Sequence, residues 1–491
     1  MEKLKMYIDG RWVEAASGKT RNIIDPSCNT VIATAQEAAK EDAEAAIQAA
    51  ARAFRPDAEW RCMTVAQRCN LLIKTAELLE QRAEKISRAE CMNTGRVYNE
   101  VRYDDVYAAS GAFRYYAGIA SELQGSTADG NGGVFSMTTY EPLGVCAIIV
   151  PWNYPLGTAG ARIAAALAAG NTIVVKPASL TPMTAEMLFQ IFDEVGFPKG
   201  VVNLITGPGE EIGKVLSESR DVKKIAFTGG TVTGKSIIQK SATSVKKLSM
   251  ELGGKSPFII FDDADVEIAA ENALFGIFLS QGQVCIAGSR LLVQDTVYEK
   301  VIETLKKITE KIRIGMPFDE KANFGPMVSE GHMKSVLEYI RIGKEEGANL
   351  LIGGNRITEG DFGKGFFIEP TIFTDCRQDM RIVQEEIFGP VLTVQKFSTE
   401  EEAIEMANGS IYGLAGAVFT NDIGRALRVC SSVDTGVLYV NAYMIGNKGV
   451  PISPHRESGT GIVGGVEGLK EFAALKQINI KLQAEATGWF S

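Results

Sequence analysis

One cysteine in this chain of 491 residues lies in a loop that could present its thiol for chemistry. Cys285 stands between Gly282 and Gly288 in the segment QGQVCIAGSR, after a long apolar run and before a short strand-like one. Glycine lets the backbone approach a ligand closely or adopt a positive φ, so this turn could carry a nucleophile. A free cysteine is most often a small buried apolar side chain, however, and the chain contains eight of them.

Partners for an activated thiol must come mainly from residues other than histidine. The chain has only two histidines, His332 and His455, which leaves little material for a Cys–His mechanism or a histidine-rich metal site, and we expect no metal. Glu251, in MELGGK, stands at a predicted strand end where partial desolvation could give it the raised pKa of a general base. Asn153, on the stiff turn PWNYP, could donate a side-chain N–H to an oxyanion.

Two glycine-rich loops follow predicted strands in the first half of the chain. One of them, FTGGTVTGK, passes a loose Walker pattern, but a Walker loop should follow the first strand of its sheet and this one follows a late strand. The loops either face the pyrophosphate of a dinucleotide or are plain turns between a strand and a helix. Lys176 ends another predicted strand and is either a ligand contact or a solvated lysine. The glycines concerned are Gly209, Gly213, Gly229, Gly230 and Gly234.

The elements that must position these residues alternate between strands and helices. Residues 144–251 read as a series of buried strands with helices between them, which predicts a parallel, doubly wound sheet. A second alternating region spans residues 257–440, MYIDGRWV predicts a hairpin, and residues 133–141 read as an extended arm. The predicted fold class is α/β, with a Rossmann-like parallel sheet, a second α/β region and a small β arm.

Composition limits the possible partners. The net charge of -9 and the pI near 5.2 argue against nucleic acid and anionic membranes. No signal peptide is visible, and the apolar region 144–175 is interrupted by prolines and an arginine, so we expect no membrane span. Cysteines without CxxC or metal-like spacing are typical of reduced thiols, which predicts a cytoplasmic location.

Six ordered motifs carry a resemblance to a known family. PWNYP, KPASLTP, FTGGTVTG, MELGGKSP, GQVCIAGSR and QEEIFGPV make the chain similar to the NAD(P)-dependent aldehyde dehydrogenase superfamily, from YIDGRWV to the last predicted strand. The resemblance implies that Cys285 attacks an aldehyde, that Asn153 and the Cys285 N–H stabilise the oxyanion, and that Glu251 activates water. It also implies NAD or NADP, bound by Trp152, Lys176, Ser179, Gly209, Gly213, Gly229, Gly230, Gly234, Glu386 and Phe388.

The resemblance also predicts the domain organisation. Residues 1–118 and 142–252 would form the dinucleotide-binding domain, and residues 253–440 the catalytic domain. Residues 119–141 and 462–491 would form the oligomerisation arm of a homodimer or homotetramer, with 441–461 an active-site loop between them. The reaction would be irreversible oxidation of an aldehyde to a carboxylate. A CoA-acylating enzyme is an alternative that Glu251 argues against, and an inactive structural or binding relative is another.

Departures from the family pattern concern the cofactor and the substrate. Ser179 stands where NAD-preferring members often have glutamate, which suggests that NADP is tolerated. Small residues after PWNYP suggest a wide tunnel for a bulky or ring-bearing aldehyde, or their space is filled from elsewhere. Betaine aldehyde is the alternative, through a cation–π contact with Tyr154, but tryptophans are missing at Leu279 and in the altered loop 451–463. The predicted tunnel residues are Tyr154, Gly157, Thr158, Ala161, Leu279, Ile286 and His455, the last either touching substrate or pointing to solvent.

Overall fold

The computed structural model describes residues 2–130, 133–447 and 449–490. Its first third is mainly helical, with short strands at the N-terminus. The elements are β1 Glu2–Leu4, β2 Met6–Ile8, β3 Arg11–Val13, β4 Thr20–Asp25, β5 Thr30–Gln36, α1 Lys40–Ala53, α2 Glu59–Cys62, α3 Val65–Gln81, α4 Ala83–Thr94, α5 Tyr98–Val101, α6 Asp105–Ile119, β6 Thr127–Gly130 and β7 Val134–Pro142.

The next segment alternates strictly between strand and helix, as predicted. It contains β8 Val145–Ile149, α7 Pro155–Ala168, β9 Thr172–Lys176, α8 Met183–Val195, β10 Val202–Leu204, α9 Gly209–Glu218, β11 Val222–Thr228, α10 Thr231–Ser241 and β12 Lys247–Glu251. All residues of β8 and β9 are buried. Helices cover both faces of a parallel sheet, so its strands are mainly apolar and do not alternate.

The last part forms a second sheet with its helices and the C-terminal elements. It contains β13 Pro257–Ile260, α11 Val266–Phe278, β14 Arg290–Gln294, α12 Tyr298–Thr309, α13 Glu330–Glu345, β15 Asn349–Ile352, β16 Thr371–Thr374, α14 Arg381–Gln384, β17 Val391–Phe397, α15 Glu400–Asn408, β18 Tyr412–Gly413, β19 Ala415–Phe419, α16 Ile423–Ser432, β20 Val437–Val440, β21 His455–Arg456, β22 Gly459–Thr460, α17 Gly465–Lys470 and β23 Ala473–Lys481.

Two large sheets organise these elements. The first has eight strands in the order β22-β12-β11-β8-β9-β10-β2-β3, and β12 to β10 run parallel. The predicted hairpin of β2 and β3 is confirmed and closes one edge in antiparallel fashion, while β22 closes the other. The second has seven strands in the order β15-β16-β17-β14-β13-β19-β20, parallel except for β15. The predicted α/β class with parallel sheets is therefore correct.

The predicted arm is a three-stranded antiparallel sheet of β23, β7 and β6. The nine residues of β23 pair with those of β7 along its whole length. The proposed domain boundaries stay a prediction. In the part of the chain that the structure describes, no helix is both long and apolar enough to cross a membrane.

Candidate active site

A cleft of about 880 Å³ lies where strands of the first sheet end and the Cys285 loop begins. Its lining includes Ile149, Lys176 and Thr228, the last residues of β8, β9 and β11. Asn153 and Cys285 line the same space. The carboxyl ends of parallel strands are the usual ligand site of such sheets, so the fold brings the predicted residues to the expected edge.

The backbone before Cys285 has an unusual left-handed conformation. Ser280, Gln281 and Gly282 have φ values of 49°, 58° and 70° in succession. Only the last is a glycine, and non-glycine residues in this region cost about 1–3 kcal/mol each. At Gly282 a Cβ would lie 2.3 Å from the carbonyl oxygen of Gly389, so no side chain fits there. Surrounding contacts must hold this strained turn in place.

A buried polar cluster supplies those contacts. The Ser280 hydroxyl lies 2.7 Å from the Tyr154 hydroxyl and accepts from Nε of Arg96 at 3.0 Å. Arg96 also donates to both oxygens of Asp105 at 2.8 Å and to Glu100 at 2.7 Å, and its guanidinium lies 3.7 Å from the centre of the Tyr154 ring. The cluster therefore links the strained turn to Tyr154, which lines the cleft.

Asn153 is fixed against the Cys285 loop. Its side chain is buried, and its Nδ2 donates to the carbonyl oxygen of Gln283 at 2.7 Å. A primary amide has two N–H groups, so one remains for a ligand oxygen. Burial raises the pKa of the Cys285 thiol to about 12, and the carboxylates of Glu251 and Glu386 act in the same direction, while the N–H groups of Ile286 and Cys285 oppose them. The Cys285 thiol is therefore protonated at neutral pH.

Glu251 has the properties of a general base that could act on water. It ends β12, and burial raises its pKa to about 7 against the opposing charge of Arg162. Its Oε1 lies 3.7 Å from Nη2 of Arg162 and has no hydrogen-bond partner among the described residues. Glu251 is not among the cleft-lining residues, but Leu252 and Gly253, which follow it, are. The carboxylate thus stands behind the cleft wall, near enough to Cys285 to act on its pKa.

The predicted cofactor glycines divide into two kinds. A Cβ at Gly209, Gly213 or Gly230 would meet nothing within 4 Å, and all three line the cleft. A Cβ at Gly234 would lie 2.4 Å from a methyl carbon of Leu252, and Gly234 is not among the lining residues. The first three leave room for a ligand beside the backbone, whereas Gly234 allows α10 to pack closely.

The other predicted cofactor residues have defined partners. Burial and the charge of Arg21 lower the pKa of Lys176 to about 8, and its Nζ donates to the Pro177 carbonyl. The Ser179 hydroxyl donates to the Gly207 carbonyl at 2.8 Å. Both residues line the cleft, as does Gly229, whose missing side chain makes room for the ring of Phe227.

Glu386 and a group of aromatic side chains also line the cleft. The Glu386 carboxylate accepts from the Gly254 N–H at 2.9 Å, and burial raises its pKa to about 7. The rings of Trp152 and Phe388 pack edge to face, with their centroids 5.2 Å apart. His332 joins them, 5.1 Å from Trp152 and with Nε2 2.7 Å from the Phe388 carbonyl. Sequence reasoning missed His332, because it belongs to the distant helix α13.

The predicted tunnel residues are only partly brought together. Tyr154 and Thr158 line the cleft, whereas the others are not among its lining residues: Gly157, Ala161, Leu279, Ile286 and His455. A Cβ at Gly160 would lie 2.6 Å from Cβ of Ala109, so that small residue serves the close packing of α7 on α6. His455 is exposed in a short antiparallel pair, with Nδ1 2.7 Å from Asp434.

Comparison with known proteins agrees with this geometry. Residues 12–478 match the model of the aldehyde dehydrogenase family. The chain is 43% identical over 491 residues to the betaine aldehyde dehydrogenase of Bacillus subtilis strain 168, covering 99% of each protein. It is also 43% identical to a betaine aldehyde dehydrogenase of Staphylococcus aureus solved in complex with NAD+, with a TM-score of 0.97 over 99% of this chain and 97% of that one.

Proposed function

The chain belongs to the aldehyde dehydrogenase family and is an NAD(P)-dependent enzyme, and we propose that it oxidises its aldehyde through a thioester on Cys285. One observation carries this proposal. The thiol of Cys285 shares a cleft with the buried amide of Asn153 and lies within electrostatic reach of two carboxyl groups, Glu251 and Glu386, whose pKa burial raises to about 7. Perturbed groups that converge on one cleft are typical of a catalytic site.

The Cys285 thiol releases its proton to bulk water, and the thiolate forms a bond to the aldehyde carbon. The second N–H of Asn153 and the Cys285 N–H donate to the resulting oxyanion, which stabilises the tetrahedral state more than the flat carbonyl. Loss of hydride leaves a thioester. Glu251 then takes a proton from water as the water oxygen attacks, the C–S bond breaks, and the carboxylic acid leaves.

The chain's residues fit a dinucleotide. Space beside Gly209, Gly213 and Gly230 admits a pyrophosphate close to the backbone, near the first turns of α9 and α10. The Glu386 carboxylate would accept from ribose hydroxyls, and Trp152 would provide an apolar wall. A bound dinucleotide would supply the acceptor for the hydride. Ser179 puts no carboxylate against a 2′-phosphate, and Lys214 and Lys240 also line the cleft, although Glu210 does too. We therefore include NADP as a cofactor.

Betaine aldehyde is the first substrate candidate. Two relatives across the full chain carry that name. The cluster beneath Tyr154 also contains two carboxylates, Glu100 and Asp105, around the single guanidinium of Arg96. Burial raises the pKa of Asp105 well above its usual value, so Glu100 is the carboxylate of this cluster that would attract a cation in the cleft. Because Arg96 already covers one face of that ring, charge and not an aromatic cage would hold the ammonium group.

A bulky, ring-bearing aldehyde is the second candidate. Thr158 is a small side chain that lines the cleft, and neither Ala161 nor Leu279 adds an aromatic wall. Gly160 gives this candidate no support, because its small size is explained by packing against Ala109.

A substrate panel with the Glu100→Gln variant separates the two candidates. Betaine aldehyde, benzaldehyde and acetaldehyde are compared with both cofactors by the absorbance of the reduced cofactor. If charge holds the substrate, Glu100→Gln raises KM for betaine aldehyde about tenfold, which is about 1.4 kcal/mol, and leaves KM for benzaldehyde unchanged. A wild-type enzyme that prefers benzaldehyde to betaine aldehyde contradicts the first candidate and supports the second.

We also propose that the protein assembles as a homodimer or homotetramer through the arm. β23 exposes Leu475, Ile478 and Ile480, and Phe135 of β7 is exposed as well. An exposed strand with apolar side chains is a favourable site for pairing with another chain. Light scattering of the purified protein tests this, and a monomer at micromolar concentration would contradict it.

A further inference from the structure

One buried arginine faces the proposed general base. Arg162 lies in the middle of α7, and its side chain is only 7% exposed. The guanidinium reaches Glu251 at 3.7 Å, and among the described residues no other carboxylate lies within ion-pair distance of it. A buried charge with a single, loosely held partner is expensive for the fold, so packing alone is a poor reason for an arginine at this position.

We propose that Arg162 is a positioning residue that keeps the carboxylate of Glu251 ionised and in place to activate water during hydrolysis of the thioester. This inference rests on the role proposed above for Glu251. Arg162 itself touches neither substrate nor cofactor in this assignment. It acts through Glu251.

The electrostatic surroundings support this role. Burial pushes the pKa of Glu251 upward, and Arg162, from α7, is the cation that opposes it. Cys285 faces Glu251 from the nucleophile loop, and Tyr116, from α6, faces Arg162. Without the arginine, no charge opposes the rise that burial causes in the pKa of Glu251. A larger fraction of the Glu251 carboxyl groups is then protonated at neutral pH and cannot accept a proton from water.

Hydrolysis of p-nitrophenyl acetate tests the inference without knowledge of the natural aldehyde. Acylation of Cys285 gives a burst of p-nitrophenolate, and the following steady rate reports hydrolysis of the acetyl thioester. The steady rate is measured from about pH 6 to about pH 9 and divided by the burst amplitude, which counts only correctly folded sites.

For Arg162→Gln we expect the midpoint of this profile to move up by about one pH unit. The steady rate should fall about tenfold at the acidic end and approach wild type at the alkaline end. Arg162→Lys, which keeps the charge, should recover at least half of the shift. Arg114→Gln is the matched control, because it removes an arginine that pairs with Glu80 on the exposed side of α6 and should leave the profile unchanged.

Three outcomes overturn the inference. In the first, the pH profile of the steady rate of Arg162→Gln superimposes on that of wild type. In the second, Arg162→Gln loses the same fraction of its steady rate at every pH. In the third, the midpoint of the Arg162→Lys profile is shifted as far as that of Arg162→Gln. Glu251→Gln separates this inference from the role on which it rests. It should keep the burst and lose the steady rate at every pH. If its steady rate survives, the role of Glu251 is wrong; if it is lost while Arg162→Gln behaves as wild type, only the role of Arg162 is wrong.

Discussion

Replacement of Asn153 by alanine should slow the enzyme far more than it destabilises it. The structure gives the amide two tasks, because one N–H donates to the Gln283 carbonyl at 2.7 Å and the other remains for the oxyanion. Loss of one oxyanion donor typically costs about 2.7–4 kcal/mol, or about 10²–10³ in kcat. Loss of the bond to the buried Gln283 carbonyl should cost about 1–3 kcal/mol of folding stability.

Two assays on the same variant separate these tasks. The rate of turnover with aldehyde and NAD+ depends on how well the oxyanion is stabilised. Alkylation of Cys285 by iodoacetamide forms no oxyanion, so its rate depends only on the position and ionisation of the thiol. We expect Asn153→Ala to lose at least about a hundredfold in kcat and to be alkylated at nearly the wild-type rate. The reasoning is refuted if kcat stays within about tenfold of wild type, or if alkylation slows as much as turnover, because Asn153 would then act only by holding the loop.

Three further changes test other parts of the structure. Burial raises the pKa of Glu386 to about 7, above the value near 4.3 of the same group in an unfolded chain. Because the folded protein holds this proton more tightly, Glu386 lowers the free energy of unfolding as the pH rises from about 4 to about 7. Glu386→Gln should therefore raise the thermal stability of the cofactor-free protein by up to about 2–3 kcal/mol at about pH 8, with no gain at about pH 4, and should raise KM for the cofactor. Gly160→Ala should lower the melting temperature because its Cβ would lie 2.6 Å from Ala109, whereas Gly157→Ala, with its nearest neighbour at 3.8 Å, should be nearly neutral by calorimetry. Ser179→Glu should reduce kcat/KM for NADP at least about tenfold relative to NAD through like-charge repulsion, and a wild-type preference for NAD of about a hundredfold would contradict NADP use.

Local patterns were sufficient to predict the sheet edge where the chemistry occurs. Strands such as β8 and β9 are buried and mainly apolar because they are covered on both faces, and their carboxyl ends must meet at one edge. Asn153 and Lys176 therefore line one cleft, and Cys285 and Glu386 reach it from the second part of the chain.

Features that depend on contacts distant in sequence were not predictable in the same way. The left-handed Ser280 is held by Arg96, which lies far earlier in the chain. A tight helix contact in space explains the small Gly160, and nothing in its own neighbourhood suggests Ala109 as the cause. Arg162 did carry a local signal, since it is the one charged residue in an otherwise small and apolar helix.

The most direct test of the account is the mass of Cys285 after reaction. Glu251→Gln is incubated with NAD+ and excess aldehyde, quenched in acid, digested and analysed by mass spectrometry. The account predicts that the peptide containing Cys285 gains the mass of the aldehyde less two hydrogen atoms, because the thioester forms and cannot be hydrolysed. A variant that reduces NAD+ without this adduct, or that carries it on another cysteine, would contradict the assignment of Cys285 as the nucleophile.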